Sequence, residues 1–375
     1  NAIREYLEEY GTYTILEYPC KYLQSQYGKV ADLNFIIVKS ELDEKIASFF
    51  SKKAPPIANY TLFLEYMAEQ GFSFNREQSF FTQRLDRIFF LAKNLEQLFI
   101  RLKTQAVFFS VYFTELNYAV SLACKNSGIK AVEIQHGQQG DYNPQNNGWA
   151  NVPKKGYEML PSHYWMWGEE SVKRKQDLCQ SEYHQAFVGG HPWLSAWLQN
   201  KFGQKNIHQV SKKITVLIAL QPLENPLPDF LLDAISNAGD NITWLIRLHP
   251  VMKNRQKELD DKLSTTQSNY EIKNATQLPL YQILKQTDYL ITLWSSVAYE
   301  ALYFGTHSII AHQNGKEIMS NYINQNIFSY ATNTKDILSL ISTKKKKDTH
   351  TSSFNFIETN EKSIKENLSK VLDTK

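Results

Sequence analysis

Little in this 375-residue chain is extreme, and several absences narrow what it can be. It has three cysteines, Cys20, Cys124 and Cys179, odd in number and far apart. They form neither a disulfide framework nor a metal-ligand pair, and a reducing cytoplasm is the simpler setting. No apolar run approaches the roughly 20 residues that a membrane helix requires. With 41 basic and 38 acidic side chains the formal charge is only +3. Nucleic-acid binders concentrate basic charge, so no nucleic-acid partner is expected. The one dense basic run, Lys344 to Lys347, reads as a solvated loop or as a peripheral contact with anionic lipid or polysaccharide at the inner membrane face. Glycine is sparse at 15 residues, and no glycine-rich phosphate loop occurs. No solenoid-length repeat is present either.

What is present is aromatic surface and a repeating strand–helix rhythm. There are 21 Tyr, 21 Phe and 7 Trp, rings that fill cores and also line sugar clefts. Residues 106–113 (AVFFSVYF) form a short apolar run, as expected of a buried parallel strand. Thr114 can cap the helical pattern that follows, Gly128 closes it, and residues 130–135 (KAVEIQ) form the next strand. Further strands are expected at 163–167 and near 186–188. A second series lies at 214–220 (ITVLIAL), 242–248 (ITWLIRL), 289–293 (YLITL) and 308–311, separated by helical stretches. Segment 33–38 reads as another strand, and 78–102 as an amphipathic helix. Polar, aperiodic residues 198–211 mark a linker. The expected domains are 1–197 and 212–352, followed by a helix in 353–375 that crosses back to the first domain. The fold class is α/β, with two Rossmann-like doubly wound domains facing a cleft.

In such sheets ligands bind beyond the carboxyl ends of the strands, and three strands end in usable chemistry. ITWLIRL closes on Arg247 and His249-Pro250. The proline stops the strand and presents His249 at the sheet edge, where His249 and Arg247 can neutralise a phosphate or the histidine can simply brace its own turn. YLITL runs into Ser295-Ser296, whose hydroxyls either bind an anion or cap the next helix. Glu300 lies four residues on, on the same helical face, as a ribose ligand or a paired structural carboxylate. In the first half, KAVEIQ ends at His136-Gly137. An imidazole there can serve as general base, with Asp141 or Glu133 to orient it, or it can simply brace the turn. No Asp-x-Asp pair accompanies the phosphate-type turns, so a metal-free mechanism without a cofactor is expected.

The blocks SVYFTELNYAVSLACKNSGIKAVEIQHG, PSHYWMWGEES, VGGHPWL, WLIRLHP and DYLITLWSSVAYEALYFGTHSII resemble GT-B glycosyltransferases of bacterial capsule, O-antigen and teichoic-acid synthesis. The resemblance covers about 106–331. It implies a nucleotide-sugar donor and a glycan acceptor. His249-Pro250 and Ser295-Ser296 are similar to the CMP-phosphate motifs of sialyl- and Kdo-type transferases. That likeness implies a CMP-activated ulosonic acid as donor in capsule or lipopolysaccharide synthesis. Two features depart from it: Gln135-His136 stands where an acidic pair is usual, and Tyr281 stands near the place of a ribose-binding glutamate. His-Gly with Arg-x-His-Pro and Ser-Ser is also similar to polyol-phosphate polymerases that use CDP-glycerol or CDP-ribitol. A UDP- or GDP-hexose transferase and a non-catalytic glycan-binding relative stay open beside these.

Overall fold

A computed structural model describes residues 6–7, 9–12, 14–17, 35–37, 56–139, 143, 145–146, 149–202, 213–342 and 356–373. Asp141, Cys20, the Lys344–Lys347 run and much of the expected linker lie outside these residues. Among the described residues no helix is long and apolar enough to cross a membrane.

The N-terminal domain is built on four parallel strands in the order β3-β4-β5-β6. These are β3 (Ala106–Phe109), β4 (Lys130–Ile134), β5 (His163–Met166) and β6 (Gln185–Val188). β1 (Ile15–Glu17) and β2 (Phe35–Ile37) form a separate parallel pair; of the strand read at 33–38, residues 35–37 are β2 and the rest lies outside the described residues. The long amphipathic helix α1 (Gln78–Leu102) turns Ile88, Ala92, Leu95 and Phe99 inward. That stripe at helical spacing packs on α2 (Glu115–Asn126). Thr114 does cap α2, its hydroxyl accepting from Asn117 N at 3.2 Å, and Gly128 ends the helix in the left-handed region at φ 67°. Two shorter helices, α3 (Glu169–Lys173) and α4 (Pro192–Leu198), follow β5 and β6.

β3 is shorter than its apolar run. Val111 is in the left-handed region at φ 59°, where a β-branched residue is strained. Asn117 holds the turn, its amide donating to Ser110 O at 2.9 Å and Val111 O at 3.0 Å. Four residues expected to extend the strand thus turn over its end, and Tyr112 is driven into the interior at 2% exposure.

The C-terminal domain is one six-stranded parallel sheet, order β12-β11-β10-β7-β8-β9. It contains β7 (Ile214–Ala219), β8 (Ile242–Arg247), β9 (Tyr270–Glu271), β10 (Tyr289–Thr292), β11 (His307–Ile310) and β12 (Ser329–Tyr330). Val216, Ile218, Trp244, Ile246 and Ile291 face one layer of the core. Leu217, Leu245, Leu290 and Ile310 face the other. Both faces are covered, so the strands read as continuous apolar runs. Each such Leu or Ile contributes about 1.5–3 kcal/mol through burial. Connecting helices include α5 (Asp229–Asn237), α6 (Leu280–Leu284), α7 (Val297–Leu302) and α8 (Ser320–Asn324).

The chain then reaches the first domain. Glu358 N donates to Trp167 O at 2.7 Å, and His191 N donates to Glu358 O at 2.9 Å. The final helix, α9 (Glu361–Asp373), lays Ile364, Leu368 and Val371 against Val132 and Trp165 of the N-terminal sheet.

Candidate active site

In the C-terminal sheet β7 and β10 are neighbours whose outgoing connections lead to opposite sides of the sheet, β8 and β11. That switch point is where an open α/β sheet leaves a crevice. Gln221 ties the two strand ends together, its Oε1 accepting from Trp294 N at 2.8 Å. Thr292 Oγ1 donates across the same pair to Ala219 O at 3.2 Å.

Ser295 and Ser296 follow directly. Among the described residues Ser295 Oγ accepts a single long contact, from Val297 N at 3.4 Å. Ser296 begins α7 without making a side-chain cap. Helix capping therefore makes little use of these hydroxyls.

His249 stands at the neighbouring strand end with its ring exposed. Its Nδ1 accepts from Val251 N at 3.4 Å across the short 3-10 turn Pro250–Arg255, which assigns the proton of the neutral ring to Nε2. Partial burial holds its pKa below the ordinary histidine value.

Arg247 is drawn inward. Its Nη1 donates to Ala275 O at 2.6 Å and to Leu278 O at 2.8 Å, closing the carbonyl end of a neighbouring helical turn. Arg255 does similar work for the loop after β7, donating to Leu223 O at 2.6 Å and Glu224 O at 2.9 Å.

Opposite lies the His-Gly turn. His136 is exposed, yet the surrounding protein desolvates its imidazole enough to lower its pKa. Gln135 anchors the turn: Oε1 accepts from Trp167 N at 2.7 Å, Nε2 donates to Gly137 O at 2.9 Å, and Gln135 O accepts from Trp167 Nε1 at 2.8 Å. Gly137 does not adopt a positive φ. Its Cα faces the other domain so closely that an added Cβ would lie 3.6 Å from Ser296 Oγ. The His-Gly and Ser-Ser turns, 159 residues apart in sequence (296 − 137), therefore meet across the cleft.

The two described carboxylates singled out from the sequence do not join them. Glu133 lies on the inward face of β4 at 1% exposure, where Oε1 accepts from Tyr112 N at 3.2 Å. Oε2 has no hydrogen-bond partner among the described residues, so neither oxygen is bonded to His136. Burial raises this carboxyl, and nearby Lys175 opposes the rise. Lys175 is itself buried, donating to Asn146 Oδ1 at 2.9 Å above the Tyr164 ring, and burial pushes it down to about 8. Glu300 is likewise enclosed. It accepts the Tyr281 hydroxyl, and His191 Nε2 lies 3.8 Å away. Burial raises Glu300 to about 7 and lowers His191 to about 4. Glu300 thus spends its carboxylate on Tyr281 rather than presenting it at the sheet edge. Tyr281, Gln135, Gln221 and Lys175 were not read as structural anchors from the sequence. No spacing rule marks an amide at a strand end or a lysine in the turn after a short helix as buried.

No protein-family profile matches the chain, and no curated protein matches it. Solved structures do. A UDP-GlcNAc 2-epimerase from Methanocaldococcus jannaschii, in complex with UDP-GlcNAc and UDP, superposes with a TM-score of 0.53 at 16% identity, over 91% of this chain and 92% of that one. The Neisseria meningitidis UDP-GlcNAc 2-epimerase bound to UDP-GlcNAc gives 0.52 at 14% identity, over 90% and 91%. The glycotransferase of kitacinnamycin gives 0.52 at 11%, over 99% and 89%. The fold is GT-B. At these identities the likeness concerns architecture, and the CMP-ulosonic-acid enzymes suggested by the sequence motifs are not among these neighbours.

Proposed function

We propose that this chain is a glycosyltransferase that binds a nucleotide-sugar donor at its C-terminal edge and an acceptor hydroxyl at its N-terminal edge. The observation that carries this reading is the meeting of the His136-Gly137 turn with Ser296 across the cleft. A neutral imidazole there can take the acceptor proton as the new bond to the anomeric carbon forms. As the bond from that carbon to the leaving phosphate breaks, Ser295, Ser296 and His249 meet the charge that develops on the phosphate. Arg247 supports the same edge from within, by closing the helical turn that ends at Leu278. Asp141 remains in the proposal as an orienting carboxylate. Turnover is expected to survive chelation by EDTA.

For the donor we favour a CMP-activated ulosonic acid, used in surface-polysaccharide synthesis on the cytoplasmic side of the membrane. The His-Pro and Ser-Ser motifs support that choice. A second reading, a UDP-sugar enzyme such as a 2-epimerase, is favoured by the UDP-GlcNAc bound in two of the structural neighbours. A thermal-shift panel of CMP, CDP, UDP and GDP separates them, because a ligand specific to the folded state raises apparent stability with its concentration. Stabilisation by CMP or CDP above the others is expected. Preference for UDP, together with a changed sugar and no acceptor requirement, would replace transfer by epimerisation.

A further inference from the structure

The chain leaving β4 is fixed on both sides of His136. On the near side Gln135 donates to Gly137 O and accepts from both nitrogens of Trp167. On the far side two donors from the interior take hold of the chain at Gln145 and Asn146. Tyr112 donates its hydroxyl to Gln145 O. Lys175, two residues past α3, donates to Asn146 Oδ1 at 2.9 Å and to Asn146 O at 3.4 Å. Asn146 N donates to Asn143 O at 2.9 Å, which makes a turn of the held residues. Tyr112, Asn146 and Lys175 are each 2% exposed or less, so water does not compete for these bonds.

Tyr112 also reaches back to the strand. Its backbone N donates to Glu133 Oε1 at 3.2 Å, and Glu133 lies on β4 three residues before His136. One residue therefore closes a loop from Glu133 to Gln145, 12 positions apart in sequence (145 − 133), and His136 lies within it. Tyr112 is turned inward by Val111 at φ 59°, a conformation that a β-branched residue keeps only where its surroundings over-determine it. The Asn117 amide supplies that constraint through Ser110 O and Val111 O.

We propose that Tyr112 is a positioning residue for His136, and that Lys175 is a second latch on the same loop. That His136 moves a proton rests on the transfer reading; the latch rests on the hydrogen bonds alone. A group that transfers protons must be held near its working geometry by bonds behind it. Glu133 lies too deep to be bonded to His136, yet it acts on the same loop by fixing the backbone of Tyr112. The exposed His136 ring has its pKa lowered by desolvation, an environment that the held chain maintains.

NMR of the full chain with labelled histidine follows the His136 ring directly, its signal identified by its loss in His136→Ala. Tyr112→Phe and Asn146→Ala each remove one latch without changing the charge of the protein, and Tyr112→Phe keeps the ring that fills the interior. Each should raise the His136 pKa towards the ordinary 6.5, while His249 in the other domain titrates as in the parent. Amide hydrogen exchange should quicken in 136–146 and hold in β3 and β4. Under the transfer reading kcat should also fall roughly fivefold, the loss of about one hydrogen bond, with nucleotide affinity unchanged. A shifted His136 with parent-like turnover would keep the latch and remove His136 as the base. An unchanged His136 titration in both variants overturns the proposal, even where the melting temperature falls, because Tyr112 would then only brace the fold. A shift shared by His249 overturns it too, since that reports general loosening.

Discussion

The two edges that face the cleft are built by different means. On the C-terminal side the polar groups hold the turns from within the edge itself: His249 caps its own turn, Arg247 closes a neighbouring helical turn, and Gln221 ties β7 to β10. On the N-terminal side much of the support comes from beneath. Gln135 staples the His-Gly turn to β5, and under it Glu133 and Lys175 bury opposite charges in one polar interior. A substitution should therefore register differently on the two sides. Changes at the C-terminal edge should appear in ligand binding, and changes under the N-terminal edge in stability. His136 is the exception that should appear in neither.

The largest expected effect is at that exception. A general base contributes about 10²–10⁴-fold to rate, so His136→Ala should lower kcat within that range while the melting temperature holds. In the parent, burial lowers the His136 pKa. Activity should therefore rise as pH increases through a value below the ordinary histidine range and then level off. Near-normal turnover in His136→Ala would move the search to Asp141.

Next comes the interior pair. Lys175→Met removes the cation that opposes the burial of the Glu133 carboxyl and leaves Asn146 Oδ1 without its donor, a loss on the order of 1–3 kcal/mol. Urea unfolding should show that loss, and Glu133→Gln added to Lys175→Met should recover part of it. A Lys175→Met protein as stable as its parent would mean that the N-terminal edge is not held from below.

A smaller effect concerns the cluster where the domains meet. Burial raises Glu300 to about 7, so its contribution is full below the ordinary 4.5 and falls away as pH rises through 7. His191 is lowered to about 4, so its contribution is present above the ordinary 6.5 and is lost as pH falls through 4. Between those limits the two slopes oppose each other, each worth roughly 3 kcal/mol in full, and the parent should vary little. Glu300→Gln should leave only the His191 slope, with stability rising from about pH 4 to 6.5. His191→Gln should leave the falling one. Identical pH profiles for the two variants would show that the cluster does not titrate in this way.

Much of the fold was legible because burial on both faces gives β7, β8 and β10 an unbroken apolar signature. β9 and β12 were not legible, since two residues at a sheet edge carry no pattern. β3 was read too long because its end is set by the Asn117 amide and the left-handed Val111, a tertiary arrangement with no periodic trace. In the site, the turns were legible because Pro250 and Gly137 punctuate strand ends. The facing of the carboxylates was not. Glu133 follows strand alternation into the interior, and Glu300, one turn beyond Ser296, meets Tyr281 before it can reach the cleft. Spacing placed both near the edge and could not say what they would touch.

The central claim is a division of labour, with nucleotide held by one domain and proton transfer by the other. Titration calorimetry of the stabilising nucleotide into the parent, His136→Ala and His249→Ala tests it most directly. His136→Ala should bind with parent-like affinity. His249→Ala should bind roughly tenfold more weakly, the loss of one charge-assisted hydrogen bond of about 1.5 kcal/mol. Equal affinity in all three proteins, or weakening confined to His136→Ala, would contradict it.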